Sequence, residues 1–178
     1  MASAALALAY QGESLSATGE LDKAIDCYTQ AIELDPLFAK PYADRGYCYA
    51  RTGRHQQAIV DYNEAIRLET EEPSSLVYNN RALSYEELGM HEQAIADYNE
   101  ALRINANFAT ALYNRGSFLS RHGRLTEALG DFSSAITLDS SDVESLVGRA
   151  TVHYALGRYD KVSRPSLPLE SDTRDFIG

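Results

Sequence analysis

The chain contains no tryptophan, two cysteines and no long run of apolar residues. Cys27 and Cys48 have neither the close spacing of metal ligands nor the number needed for a disulfide framework. We expect both thiols to be reduced, as they are in the cytoplasm. No segment approaches the length of about 18 apolar residues that a membrane span requires, so we expect no membrane insertion. The Ala- and Leu-rich start lacks a basic region, and Gln11 and Gly12 interrupt it, so it does not read as a signal peptide.

Basic residues are also scarce: 16 Lys and Arg face 26 Asp and Glu, which gives a formal net charge of -10. Such a chain repels a phosphate backbone, and this excludes nucleic acid as a partner. The acidic surface has two interpretations, namely solubility and a preference for basic ligands. The hydrophobic content of 44% is too high for a disordered chain and indicates a folded one.

Signatures of catalysis are missing from the sequence. It contains no H-E-x-x-H, G-x-S-x-G or phosphate-loop pattern. The histidines are far apart, at His55, His91, His122 and His153. His55 and His91 occupy equivalent positions two residues after a glycine, which we interpret as exposed turns. We therefore predict that the chain is not an enzyme and has no catalytic residues, metal site or cofactor.

An internal repeat is the dominant feature of the sequence. Glycines recur at intervals of 34 or 36 residues, at Gly19, Gly53, Gly89, Gly123 and Gly157. The first four are followed by alanine, an aromatic residue and alanine at fixed distances, as in Ala58, Tyr62 and Ala65 after Gly53. Self-similarity of this period is typical of tandem structural repeats.

Each half of a repeat has the pattern of a short helix. In the second copy, Ala58, Tyr62 and Ala65 share one helical face, and Gly53 lies where the preceding helix must end in a left-handed residue. Helices of about a dozen residues are marginal alone, so neighbouring copies must stack. We predict an all-α solenoid of antiparallel helix pairs, with a cap and a flexible tail. The predicted boundaries are 5–38, 39–72, 75–108 and 109–142 for four repeats, 143–160 for the capping helix and 163–178 for the tail.

Both ends of the repeat pattern carry further expectations. The third copy starts late, after Glu71, Glu72 and Pro73, which predicts a longer loop. In the fifth copy, Pro165 would break a second helix, so the array should end in one helix. That helix carries Val147, Val152 and Leu156, so the cap is imperfect. Its exposed side is available for self-association, or the chain is a shortened form of a longer protein.

This repeat pattern resembles that of the tetratricopeptide repeat family over about residues 5 to 160. The resemblance implies a right-handed superhelix whose first helices line a concave groove. It further implies a scaffold or adaptor that binds a peptide segment of a partner protein in that groove. An alternative is a regulatory or substrate-selecting subunit that docks on an enzyme.

Four arginines stand where the family commonly has leucine: Arg45, Arg81, Arg115 and Arg149. Three copies also carry an aspartate immediately before the second-helix aromatic residue: Asp61, Asp97 and Asp131. The first copy has neither residue, which suggests buried ion pairs between the two series. The partner of Arg81 is either Asp97 in the same repeat or Asp61 in the preceding one. The alternative function of the arginines is a row that binds acidic ligands.

The predicted groove contains first-helix residues near the arginines. The candidate peptide-binding residues are Asp44, Tyr47, Arg51, Asn79, Asn80, Tyr113, Asn114 and Arg121. An asparagine amide can donate to and accept from a peptide backbone, and a tyrosine offers a flat apolar face with a polar tip. The alternative interpretation is that these residues are merely solvated.

One subclass of the family binds the acidic C-terminal tails of chaperones through a clamp of lysines, asparagines and an arginine. With Asn80 in the central place, Ala43 and Tyr47 stand where lysine and asparagine are required. With Asn114 in that place, Asn79 and Leu83 stand at those two positions, and Glu144 and Gly148 stand where basic residues are required. A chaperone co-factor that lacks the full clamp is therefore a further alternative.

Overall fold

The computed structural model describes residues 2–69 and 74–157, and these ranges contain nine helices and no strand. The helices are α1 (Ala2–Ala17), α2 (Leu21–Leu34), α3 (Ala39–Arg51), α4 (His55–Leu68), α5 (Ser75–Glu87), α6 (His91–Ile104), α7 (Ala109–Arg121), α8 (Leu125–Leu138) and α9 (Val143–Ala155). The predicted loop at Glu71–Pro73, the tail at 163–178 and the last residues of the predicted cap lie outside the described residues.

The helices stack in chain order. Each odd helix packs along the even helix that follows it, and three residues join the two, so the members of a pair run antiparallel. Each even helix packs against the next odd helix, and most odd helices also contact the next odd helix. The prediction of an all-α solenoid of helix pairs is confirmed.

Glycines end the odd helices as predicted. All five turn glycines have positive φ angles, between 67° and 84°. At the first turn after α3, the Gly53 N–H donates to the Ala50 carbonyl and the Arg54 N–H donates to the Tyr49 carbonyl. These bonds satisfy carbonyl groups at the helix end, and only glycine reaches the required left-handed conformation without strain.

Two glycines of α8 and its preceding turn should respond to alanine in opposite directions. Gly123 has a φ of 76°, so Gly123→Ala should destabilise by about 1–2 kcal/mol. Gly130 lies within α8 with open space around its Cα, so Gly130→Ala should stabilise by about 0.5–1 kcal/mol. Urea unfolding of both variants measures this, and shifts of the same sign would contradict the assignment of the turns.

The core of each pair is one aromatic ring among alanines. Tyr28, Tyr62, Tyr98 and Phe132 are all buried. In three pairs the facing odd helix carries a glycine, namely Gly12, Gly46 and Gly116. A Cβ added at Gly46 would lie 2.9 Å from Tyr62 Cε1, so the ring occupies the space of a side chain. Each of these glycines lies seven residues before a turn glycine, a regularity visible in the sequence.

Candidate functional site

The arginine series forms bidentate ion pairs inside the helix pairs. Arg81 Nε lies 2.6 Å from Asp97 Oδ2, and Arg81 Nη2 lies 2.7 Å from Asp97 Oδ1. Arg45 with Asp61 and Arg115 with Asp131 repeat this geometry at 2.7–2.8 Å. Of the two pairing schemes that the sequence allows, the structure therefore has the one within a repeat.

Each of these three arginines also reaches the preceding helix pair. Arg81 Nη1 donates to Asn63 Oδ1 at 2.6 Å. The equivalent acceptors are Thr29 for Arg45 and Asn99 for Arg115. The sequence analysis missed these acceptors, although a polar residue follows the aromatic residue in every copy. The guanidinium groups thus join adjacent repeats, and this use leaves little of them for an acidic ligand.

Arg149 departs from the series. It is half-buried on α9, and it forms no ion pair within residues 2–69 and 74–157. The residue sixteen positions further on, where the other arginines have aspartate, is Pro165. The prediction of a structural ion pair at Arg149 is therefore corrected for the described part of the chain.

Three clefts open at equivalent places along the odd helices. The first cleft lies between α1 and α3 over Tyr28, the second between α3 and α5 over Tyr62, and the third between α7 and α9 over Phe132. Their volumes are about 380, 270 and 360 Å³. In each cleft, one wall belongs to the earlier of the two odd helices. It is formed by the residues six, three and two positions before the glycine that ends that helix. We call the surface that contains these clefts the groove face.

The junction between α5 and α7 is filled by the chain's own polar side chains. Glu86 accepts a hydrogen bond from the Tyr98 hydroxyl at 3.1 Å and forms an ion pair with Arg121. Asn114 Nδ2 donates to Asn79 Oδ1 at 3.0 Å across the same junction. These contacts occupy the position at which the other junctions open into clefts.

Four of the predicted groove residues line the first cleft, the second cleft or both. Tyr47 and Arg51 line both clefts, and Arg51 Nη1 donates to the Tyr47 hydroxyl at 2.7 Å. Asn80 lines the second cleft, and Asp44 lines the first. Burial raises the pKa of Asp44, although the hydrogen bond from Lys40 at 2.6 Å opposes that rise. This stretch of the groove face therefore combines an aromatic ring, an amide and charges of both signs.

The other predicted groove residues differ in their surroundings. Tyr113 and Arg121 line the third cleft, although Arg121 is also paired with Glu86. Asn114 is half-buried and bonded to Asn79. Asn79 is only 2% exposed, and its Nδ2 donates to Asn80 Oδ1 at 3.2 Å. The prediction that Asn79 lines the groove is corrected, since this residue lies beneath the surface and joins α5 to α7.

His55 and Glu86 are site residues that the sequence analysis missed. His55 was expected on an exposed turn, but it is half-buried and lines the second cleft. Glu86 stands at the register position of Ser16, Ala50 and Ser120 in the other copies. Comparing the copies position by position would have identified Glu86 as the exceptional residue, whereas the orientation of His55 depends on the packing of α4.

Membrane-spanning helices and metal-ligand clusters are both absent from residues 2–69 and 74–157. No helix there is both long and apolar enough to cross a membrane. Within those same residues, no three His, Cys, Asp or Glu side chains converge as metal ligands.

Stacked helix pairs with a row of clefts on one face define a helical repeat protein of the interaction-scaffold class. Family models described as tetratricopeptide repeat match residues 39–71 and 75–108, and a model described as TPR repeat matches residues 12–53. The chain belongs to the tetratricopeptide repeat family.

Similar proteins support this assignment. The DnaJ homolog subfamily C member 7 homolog of Schizosaccharomyces pombe is 30% identical over 170 residues, which cover 89% of this chain and 29% of that protein. MamA has a TM-score of 0.79 at 19% identity, with 91% of this chain and 87% of MamA covered. YrrB, described as a TPR protein with an unusual peptide-binding site, has a TM-score of 0.71 at 22% identity, with 88% and 79% covered. At these identities the two structures show a shared fold. Three curated relatives are much longer, and the chain spans between 4% and 29% of their lengths.

Proposed function

We propose that the chain is an adaptor that binds a peptide segment of a partner protein along its groove face. The observation that carries this proposal is the row of three clefts at equivalent register positions. A peptide that runs across the odd helices would place one side chain in each cleft and would pass over the filled junction between α5 and α7. Ligand sites of this kind combine apolar walls with a few oriented polar groups, as the clefts do.

The chemistry of the groove face supports a peptide ligand. Tyr47 and Tyr113 offer rings with polar tips, which can pack on side chains and bond to a backbone. Asn80 offers an amide in the second cleft, Asp44 offers a negative charge in the first, and Arg51 offers a positive charge to both. YrrB has the same fold and is described as having a peptide-binding site, which supports a peptide ligand for this fold.

The alternatives use the same surface in different ways. A substrate-selecting subunit would hold its enzyme's substrate in these clefts, and co-purification with an enzyme would favour it over a simple adaptor. A chaperone co-factor would need basic side chains for an acidic tail. Arg121 is engaged by Glu86, and Ala43 stands at a clamp position, so the geometry favours this alternative least.

Cys27 and Cys48, both buried and free, support a reducing compartment such as the cytoplasm.

A lysine placed in the second cleft should weaken peptide binding, whereas a lysine placed elsewhere on the surface should not. Leu83 lines the second cleft and is 39% exposed, while Val60 on α4 is 66% exposed and lines none of the three clefts. Peptides would be selected from a phage-displayed library on the wild-type chain and measured by calorimetry. We expect Leu83→Lys to raise Kd by about tenfold or more, the effect of losing a central contact, and Val60→Lys to leave it unchanged.

Both variants should unfold at the wild-type temperature, because both positions are exposed. Equal losses of affinity in the two variants would place the peptide elsewhere. Failure to select any peptide on the folded wild-type chain would contradict the proposed function itself.

A further inference from the structure

Two residues that line the second cleft each carry a buried polar atom without a partner. The Tyr62 hydroxyl and His55 Nδ1 are buried and form no hydrogen bond in the part of the chain that the structure describes. Tyr62 is 1% exposed, and both residues line the cleft. Buried polar groups in folded proteins nearly always have a partner, so each exception needs an explanation. A group supplied by a ligand is one such explanation.

The next junction shows what the second cleft lacks. There, Glu86 on α5 accepts a hydrogen bond from the Tyr98 hydroxyl and forms an ion pair with Arg121 on α7. At the equivalent positions, α3 has Ala50 and α5 has Glu87. The short side chain of Ala50 leaves the cleft open and the Tyr62 hydroxyl unpaired. Glu87, in place of the arginine, lines the cleft and forms no ion pair with any described residue.

These features specify a cation with a long apolar stem. Tyr47, Ala50 and Leu83 provide apolar wall surface. The Tyr62 oxygen and the Glu87 carboxylate can each accept a hydrogen bond, and His55 Nδ1 accepts one in the tautomer that carries the ring proton on Nε2. A lysine ammonium carries three donors on a four-carbon stem, whereas a guanidinium has a planar fork suited to a single carboxylate.

We propose that the second cleft is a subsite for a lysine side chain of the bound peptide. This inference rests on the proposed function, because the lysine belongs to a peptide in the groove. The net charge of -10 attracts a basic peptide at long range. Burial raises the pKa of Tyr62, so its hydroxyl stays neutral and offers its lone pairs to the ammonium.

Arg51 is the one cation on the wall of this cleft, and it makes the proposal easy to test. It is exposed and held by the Tyr47 hydroxyl at 2.7 Å, so water screens much of its repulsion. Removing its charge should strengthen lysine binding, while removing the charge of Glu87 should weaken it. An acidic ligand would reverse both signs, and an uncharged one would show neither effect.

The test uses the peptides selected on the wild-type chain. Each lysine of a selected peptide would be replaced in turn by norleucine. Replacing the lysine that occupies the second cleft should raise Kd by about 10- to 100-fold, as for a lost charge-assisted hydrogen bond. Glu87→Gln should raise Kd by about 2- to 5-fold and Arg51→Gln should lower it by a similar factor, as for exposed charges. Tyr62→Phe should raise Kd by about 2- to 12-fold, the range for one hydrogen bond, without lowering the melting temperature.

Tyr98→Phe is the matched control. It removes a hydroxyl that Glu86 already binds, so it should lower the melting temperature and leave Kd unchanged. Peptides that bind in the groove with no dependence on lysine, or with reversed signs at Glu87 and Arg51, would overturn the lysine subsite and leave the proposed function standing. If Leu83→Lys has no effect on the selected peptides, the proposed function fails first.

Discussion

Replacing Asp97 by alanine should destabilise the chain by about 3–5 kcal/mol, the cost of removing one member of a buried ion pair. The side chains of Arg81 and Asp97 are 15% and 9% exposed, and two hydrogen bonds join them. Without Asp97, the guanidinium keeps its charge inside the interface between α5 and α6. Urea unfolding followed by circular dichroism measures the loss.

Two controls separate this effect from a general loss of side-chain contacts. The double variant Arg81→Leu/Asp97→Ala leaves no unpaired charge, so it should recover most of the stability lost by the single variant. Glu100→Ala removes the half-buried partner of Arg103, whose own side chain is 66% exposed, and should cost at most about 1 kcal/mol. An Asp97→Ala unfolding curve that overlays the wild type would contradict the structural role of the series.

Phe132→Ala should also cost about 3–5 kcal/mol, because it leaves a cavity where α7, α8 and α9 meet. Phe132 is 1% exposed and packs in one cluster with Leu119, Ala128 and Val152. Since each repeat contacts only its neighbours, the loss should be local. Hydrogen exchange should show faster opening of α8 and α9 with unchanged protection in α2.

Phe132→Leu is the control for this substitution. Leucine keeps most of the apolar volume, so it should cost less than half as much as alanine. Uniform loss of protection from α1 to α9 in Phe132→Ala would contradict the repeat-by-repeat packing. Equal losses for leucine and alanine would show that the ring does not fill this junction.

The period of the sequence repeat predicts most of the fold. The turn glycines and the buried aromatic residues can be read directly from the repeat, because a left-handed turn and a close approach of helices restrict the residue type. The pairing of Arg81 could not be read in the same way. Asp97 and Asp61 both lie at a plausible helical position, and the choice depends on how one guanidinium spans three helices, with two nitrogens toward Asp97 and the third toward Asn63.

The site was less predictable than the fold. Asn79 and Asn80 are adjacent, yet they point about 100° apart on the helix, so one is buried and the other lines the second cleft. The register of the repeat is enough to bring Tyr47 and Arg51 together on α3, where both line the first and second clefts. It does not place His55, whose ring turns inward at the start of α4, and it does not indicate that the Tyr62 hydroxyl lacks a partner.

Chemical-shift mapping of a selected peptide on the labelled chain tests the central claim most directly, because it locates the ligand without any substitution. The account predicts that the largest amide shifts follow α3 and α5 around Tyr47, Asn80 and Leu83, which line the second cleft. The amide chemical shifts around Val60, on the exposed part of α4, should not change. Shifts centred on the exposed faces of the even helices, with α3 and α5 unchanged, would contradict a groove on the odd helices.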